Sequence, residues 1–183
     1  DCRRLVAEQH AAGRKLYYIS SGTYDGQDLD MMPNRHGVGF FFWKNGCDGT
    51  GLWTFCRPTG DPYTDFDGAS YKDCCLVYPP RERGGRDIPT LAWEGIREGW
   101  KDFRYAQALA DAVAQADAAG RKAAADRGRV ALDFLRSAIP WHDQYSRQQF
   151  DNRVADRLRW LAAWTTLTIS AEKDASSDSS AAA

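Results

Sequence analysis

The chain has 183 residues, 43% hydrophobic and 13% aromatic, with 24 Lys and Arg against 25 Asp and Glu and a formal net charge of -1. That composition supplies a core and argues against a disordered chain. The charge is spread evenly, which gives no basic stripe for nucleic acid, and no apolar run approaches the ~20 residues of a bilayer span, so neither nucleic acid nor a membrane is an expected partner.

In chain order, residues 1–10 read as the last turns of a helix with no start signal, and because the chain begins at Asp1 without Met, truncation at the N-terminus is expected. Ala12-Gly13 ends that helix. Lys15-Leu16-Tyr17-Tyr18-Ile19, bounded by Ser20-Ser21-Gly22, reads as a strand. A loop with Tyr24, Asp25, Asp28 and Asp30 follows, then a helix from Pro33 through Trp43 closed by Asn45-Gly46. Thr50 to Phe55 is the second strand.

Strand, helix, strand with short connections is the signature of a parallel sheet, and continuously apolar strands fit a sheet covered on both faces. The Pro-, Gly- and Asp-rich stretch from Arg57 to Tyr71 reads as a long loop at the C-terminal edge of the second strand, where α/β folds bind ligands. Cys74 to Tyr78 suggests a hairpin or an edge strand. From Pro89 the period turns helical through Trp93, Ile96, Trp100, Phe103, Leu109 and Val113, with Gly95 and Gly99 spaced as close helix packing favours.

Two more helices are expected near residues 121–138 and 146–166, divided by Pro140. Ser146-Arg147-Gln148-Gln149 has capping-box spacing, and Phe150, Val154, Leu158 and Leu161 form the buried stripe. Residues 171–183 hold almost nothing to bury and are expected to be disordered. The fold class expected is α/β: residues 1–88 as the C-terminal (β/α) units of a TIM-type barrel with a ligand-side loop, and residues 89–170 as an accessory α-helical region.

Five cysteines with no C-x-x-C spacing argue against a disulfide framework or a structural zinc, and three scattered histidines argue against a histidine-based metal site. Phosphate-loop, dinucleotide, nucleophile-elbow and zinc-protease patterns are absent, so no metal and no cofactor is expected. Asp65-Phe66-Asp67-Gly68 is a poor calcium loop, because its first ligand position holds Tyr63.

The strongest local clue is Asp48-Gly49-Thr50-Gly51-Leu52-Trp53 followed by the acidic aromatic loop from Asp61 to Gly68. A Trp at a strand end can stack on a sugar ring while carboxylates accept hydrogen bonds from its hydroxyls; equally, Trp53 can fill the interior. The substrate-binding candidates are Trp53, Asp61, Tyr18, Tyr24 and Asp65. None is assigned a catalytic role, since glycosidases need two rigidly held carboxyl groups of contrasting pKa, and loop acids are rarely held that way.

Several of these stretches, in order, resemble one family. Asp48 to Trp53 is similar to its D-G-x-L-Y-W strand, Asp61-Pro62-Tyr63 to its D-P-W loop, Leu76-Val77-Tyr78-Pro79 to its segment ending in Y-P, and Arg97 to Tyr105 to its R-D-G-I-E-D-Y-E-Y helix. The set resembles the C-terminal part of the catalytic domain of glycoside hydrolase family 123. The resemblance implies a retaining, substrate-assisted glycosidase acting on terminal β-linked N-acetylgalactosamine, in a secreted or periplasmic setting. It places the catalytic Asp-Glu pair in sequence preceding Asp1, so this piece alone is expected to be inactive.

By the same resemblance Trp53 lines a sugar subsite, Asp61 binds a hydroxyl or braces its loop, and Arg97 and Asp102 serve a buried ion pair. The function expected is therefore the sugar-binding wall and scaffold of a glycoside hydrolase with carbohydrate as its partner. The rival is a non-catalytic carbohydrate-binding or structural barrel remnant. Oligomeric state is not indicated by the sequence.

Overall fold

A computed structural model describes residues 2–20, 31–52, 55–57, 60–64, 74–141 and 149–178. The chain divides into two compact units, Asp1–Lys101 and Asp102–Ala183.

The first unit opens with α1 (Cys2–Ala11). It ends where Gly13 takes a left-handed φ of 69° and donates its N–H to the His10 carbonyl oxygen at 2.9 Å, a turn that suits glycine because it has no Cβ to clash. β1 (Tyr17–Ser20) follows and pairs in parallel with β2 (Gly49–Leu52), Tyr17 opposite Gly49 and Ser20 opposite Leu52. Between them lie α2 (Met32–Val38) and α3 (Phe40–Asn45). The single helix expected from Pro33 to Trp43 is thus broken at Gly39. Gly46, at φ 75°, closes α3 by donating to the Phe42 carbonyl oxygen.

Asp48 fastens the start of this parallel pair. Its Oδ2 accepts the Leu16 backbone N–H and hydrogen-bonds His10 Nε2, both at 2.8 Å, while its own N–H donates to the Leu16 carbonyl oxygen at 2.9 Å. The Leu16 N–H and then the His10 side chain hold its carboxyl below the usual aspartate range. A carboxyl so depressed contributes stability in full above about pH 4, the unfolded aspartate's value, and that contribution is lost as the pH falls through the lowered folded value. The urea midpoint of Asp48→Asn is accordingly expected to respond less to acidification than that of the wild type between about pH 5 and pH 2. Equal acid responses would show that the carboxylate contributes nothing.

Two small antiparallel ladders complete the strands. β3 (Cys56–Arg57) pairs with β4 (Cys74–Cys75), and β5 (Val77–Tyr78) pairs with β6 (Ile88–Pro89). Thr90 then caps α4 (Leu91–Ala118): its Oγ1 accepts the Trp93 N–H at 3.3 Å and donates to the carbonyl oxygen of Leu76, between β4 and β5, at 2.7 Å, tying the helix start to the strands. Val38, Leu76 and Ile96 form a buried cluster, with Leu52, Ala92 and Trp93 packed around it.

The expectation of (β/α) units from a TIM-type barrel is overturned. The described residues are mainly helical, with three separate two-stranded ladders, and among them neither β1 nor β2 meets a third strand. The physical reason is visible on β1, where Tyr17 and Ile19 are 66% and 71% exposed. A barrel strand has both faces covered, whereas here only the Tyr18 side packs inward. Four-residue apolar runs between Gly-rich turns suit an isolated parallel pair as well as a barrel, and sequence alone does not separate them.

The second unit holds the end of α4, α5 (Lys122–Ala138) and α6 (Asn152–Asp178). Leu109, Leu135, Ile139, Phe150 and Ile169 are its largest fully buried apolar side chains among the described residues. Gly128 lies beneath Val113 and Ile169, where a Cβ would collide with both. Asp151 caps α6 by accepting the Val154 N–H at 2.9 Å, so the described helix starts at Asn152, while the expected capping box at Ser146 lies outside the described residues. The helix runs on to Asp178, into the 171–183 stretch expected to be disordered.

Candidate functional site

Two motifs far apart in sequence meet in the first unit. Asp61, in the loop beyond β3, accepts the Tyr63 N–H through Oδ1 at 2.9 Å and the Thr64 hydroxyl through Oδ2 at 2.8 Å. This is the side-chain-to-backbone turn that Asp forms readily when followed by Pro62. It fixes Tyr63, whose ring stacks on Tyr78 of β5 at 5.4 Å and 29°. The Tyr63 hydroxyl donates to the Pro79 carbonyl oxygen. Arg81 lies over the Tyr63 ring, its guanidinium carbon 4.4 Å from the centroid.

The result is an exposed Asp61 and an exposed Arg81 mounted on a pair of stacked rings. The Tyr63 N–H, the Thr64 hydroxyl and then the Arg81 charge hold the Asp61 carboxyl below the usual range. It is therefore ionised at all ordinary pH. A group in that state accepts hydrogen bonds and is the opposite of a general acid, which needs its pKa raised. With one acceptor interaction used on each oxygen, the carboxylate keeps lone pairs toward solvent, and the guanidinium fork offers several donors.

The five sequence candidates fare differently. Asp61 is at the cluster just described, where it braces its own turn. Tyr18 is half-buried and packs edge-on against Phe41 at 5.4 Å, and Phe41 stacks on buried His36 at 5.3 Å. Its ring is thus committed to the interior, and it is not brought together with Asp61. Tyr24, Trp53 and Asp65 lie outside the described residues.

Sequence reasoning passed over Tyr63, Tyr78 and Arg81 as site residues. The signal was present in Asp61-Pro62-Tyr63 and Leu76-Val77-Tyr78-Pro79, but nothing in either segment says that they touch. It also passed over the polar run Asn34, Arg35 and His36 on α2, all buried. Asn34 donates to the Ala92 carbonyl oxygen at 3.3 Å, linking α2 to α4. Asp48, the first residue of the Asp-Gly motif, works at the N-terminal end of the parallel pair, away from the strand ends where ligands were expected.

Other chemistry finds little support among the described residues. No group of three or more His, Cys, Asp or Glu is placed to hold a metal, and no helix is long and apolar enough to cross a membrane. Cys47 is pushed up to about 11, mainly by burial and then by neighbouring Cys2, so it carries little thiolate for nucleophilic attack. Arg97 and Asp102 have separate partners: Arg97 is exposed and pairs with Glu94 one turn away, whereas buried Asp102 pairs with Arg159. No protein-family model matches the chain, and no curated protein is significantly similar to it.

Proposed function

We propose that this chain is the sugar-contacting and scaffold-bearing portion of a glycoside hydrolase acting on terminal sugars, with β-linked N-acetylgalactosamine as the substrate class indicated by the family resemblance. The observation that carries this reading is the meeting of two resemblance-bearing motifs, Asp61-Pro62-Tyr63 and Leu76-Val77-Tyr78-Pro79, at the Tyr63–Tyr78 stack. An ionised acceptor in the Asp61 turn and a forked donor, Arg81, over the Tyr63 ring of that same turn suit the hydroxyls of a pyranose, each of which both donates and accepts. Asp61 serves recognition in this reading and takes no part in proton transfer.

The test is titration of the chain with methyl β-N-acetylgalactosaminide, followed by backbone amide NMR. Saturable binding near ~1 mM, corresponding to about -4 kcal/mol, is expected, with Arg81→Ala weakening it by about 10-fold. Because Asp61 stays ionised, affinity should be flat between about pH 5 and pH 8 and fall only in stronger acid. Amide shifts that never saturate, or that saturate equally in Arg81→Ala, would remove this reading.

A further inference from the structure

Helix α6 has a second apolar face. Its inner side, through Ala155, Leu158, Ala162 and Ile169, is buried within the second unit. On the outer side Trp160, Trp164 and Leu167 are 72%, 64% and 65% exposed. Their four- and three-residue steps align them on one stripe of a helix with about 3.6 residues per turn. An isolated exposed tryptophan is ordinary, but two in line with a leucine mark a contact surface. Beside the stripe lies an open pocket of about 240 Å³ walled by Tyr105, Arg159, Trp160 and Ala163. That falls below the ~300 Å³ at which pockets take whole small-molecule ligands, and it suits a single inserted side chain.

We propose that this face pairs with the same face of a second copy, α6 against α6 in antiparallel sense about a two-fold axis near Ala163 and Trp164, with the Trp164 of each copy entering the Tyr105–Trp160 pocket of the other. Three features select a second copy as the occupant. The first is charge. Arg153 and Arg157 lead into the stripe by a four-residue and then a three-residue step, and Asp174 and Asp178 follow it on the same helical register. Antiparallel pairing sets each copy's basic end against the other's acidic end, whereas parallel pairing opposes like charges.

The second feature is steric: Ala163, beside the axis, is small enough to leave the hole that an indole fills. The third is area. With each aromatic carrying roughly 150–250 Å², two Trp and one Leu from each copy supply on the order of 1,000 Å². Stable interfaces start at about 1,200 Å² in total, a margin that Tyr105 and the arginine stems can cover.

Sedimentation velocity of the full chain over a concentration series tests the pairing. A monomer–dimer equilibrium in the micromolar range is expected. Trp164→Glu, a change at an exposed position, should weaken it by ~100-fold with an unaltered circular dichroism spectrum. Arg153→Glu/Arg157→Glu and Asp174→Lys/Asp178→Lys should each dimerise at least ~10-fold more weakly alone and regain wild-type affinity when mixed. The proposal is overturned by a wild type that stays monomeric at ~1 mM, by dimers indifferent to Trp164→Glu, or by charge-reversed chains that do not recover on mixing. A monomer whose indole fluorescence responds to an oligosaccharide would assign the face to sugar and would equally overturn it.

Discussion

Gly95→Ala is expected to destabilise the first unit by about 2 kcal/mol, even though alanine is the better helix former. Inside a helix the exchange gains roughly 1 kcal/mol of propensity. Against that, a Cβ at Gly95 would run into the backbone carbonyl of Met31, next to the start of α2. A backbone carbonyl cannot swing aside as a side-chain tip can, so the whole α2–α4 contact must open, and overpacking of this kind costs about 1–3 kcal/mol or more. One turn later, a Cβ on Gly99 would lie 2.6 Å from Val38 Cγ2 and 2.7 Å from the Arg35 carbonyl oxygen. Gly99→Ala should behave in the same way. Gly51→Ala, whose Cβ would meet nothing within 4 Å, is the control and should leave the urea midpoint unchanged or slightly raised. If all three variants melt alike, close helix approach is not what these glycines provide.

That approach is one part of the fold that the sequence disclosed. Two glycines four apart on an apolar helical stripe have few other uses, and the structure puts Gly99 against Gly39, where a Cβ on Gly39 would come within 2.9 Å of the Gly99 Cα. The helix after Pro89 and the turns at Gly13 and Gly46 were legible for similar reasons, since each depends on a local backbone preference. The barrel was not decidable in this way. Whether β2 gains a neighbour on its far side depends on residues distant in sequence, and a run such as Tyr17-Tyr18-Ile19 looks the same with one face covered or two. Trp100 falls in that helical period but is 44% exposed, its ring meeting Phe42 in a T-shaped contact at 6.1 Å, because the period marks a helix and does not say which of its residues are covered.

The candidate site was half legible for a related reason. Asp61 stands out because Asp-Pro-Tyr is a turn with a mechanism, and its carboxylate does close that turn. Its neighbours in space, Tyr78 and Arg81, come from the β5–β6 hairpin, and no spacing rule predicts that a loop and a hairpin will share a ring stack. Tyr18, on the inward side of a two-stranded ladder, is half-buried against Phe41, which in turn stacks on the buried His36, and no rule of strand alternation predicts that pairing.

Breaking the Asp102–Arg159 pair is expected to cost the second unit more than any surface change. Asp102 is fully buried on α4, and Arg159 of α6, itself 19% exposed, reaches Asp102 Oδ1 through both Nε and Nη2 at 2.6 Å. Removing the guanidinium in Arg159→Met takes this cation away from a buried carboxylate, a loss of about 3–5 kcal/mol. The pair's net worth is a separate quantity, because both charges gave up their hydration to meet. Replacing both, as Asp102→Leu/Arg159→Met, should therefore recover most of the loss and bring the urea midpoint back toward wild type. A double variant as unstable as the single one would mean that the ion pair contributes net stability of its own. Recovery would mean that the pair chiefly fixes which turn of α6 sits over which turn of α4, since it penalises every register in which the two residues miss each other. Asp102 then owes its place in the Arg97–Tyr105 motif to helix register, and the chemistry of any sugar site falls to other residues.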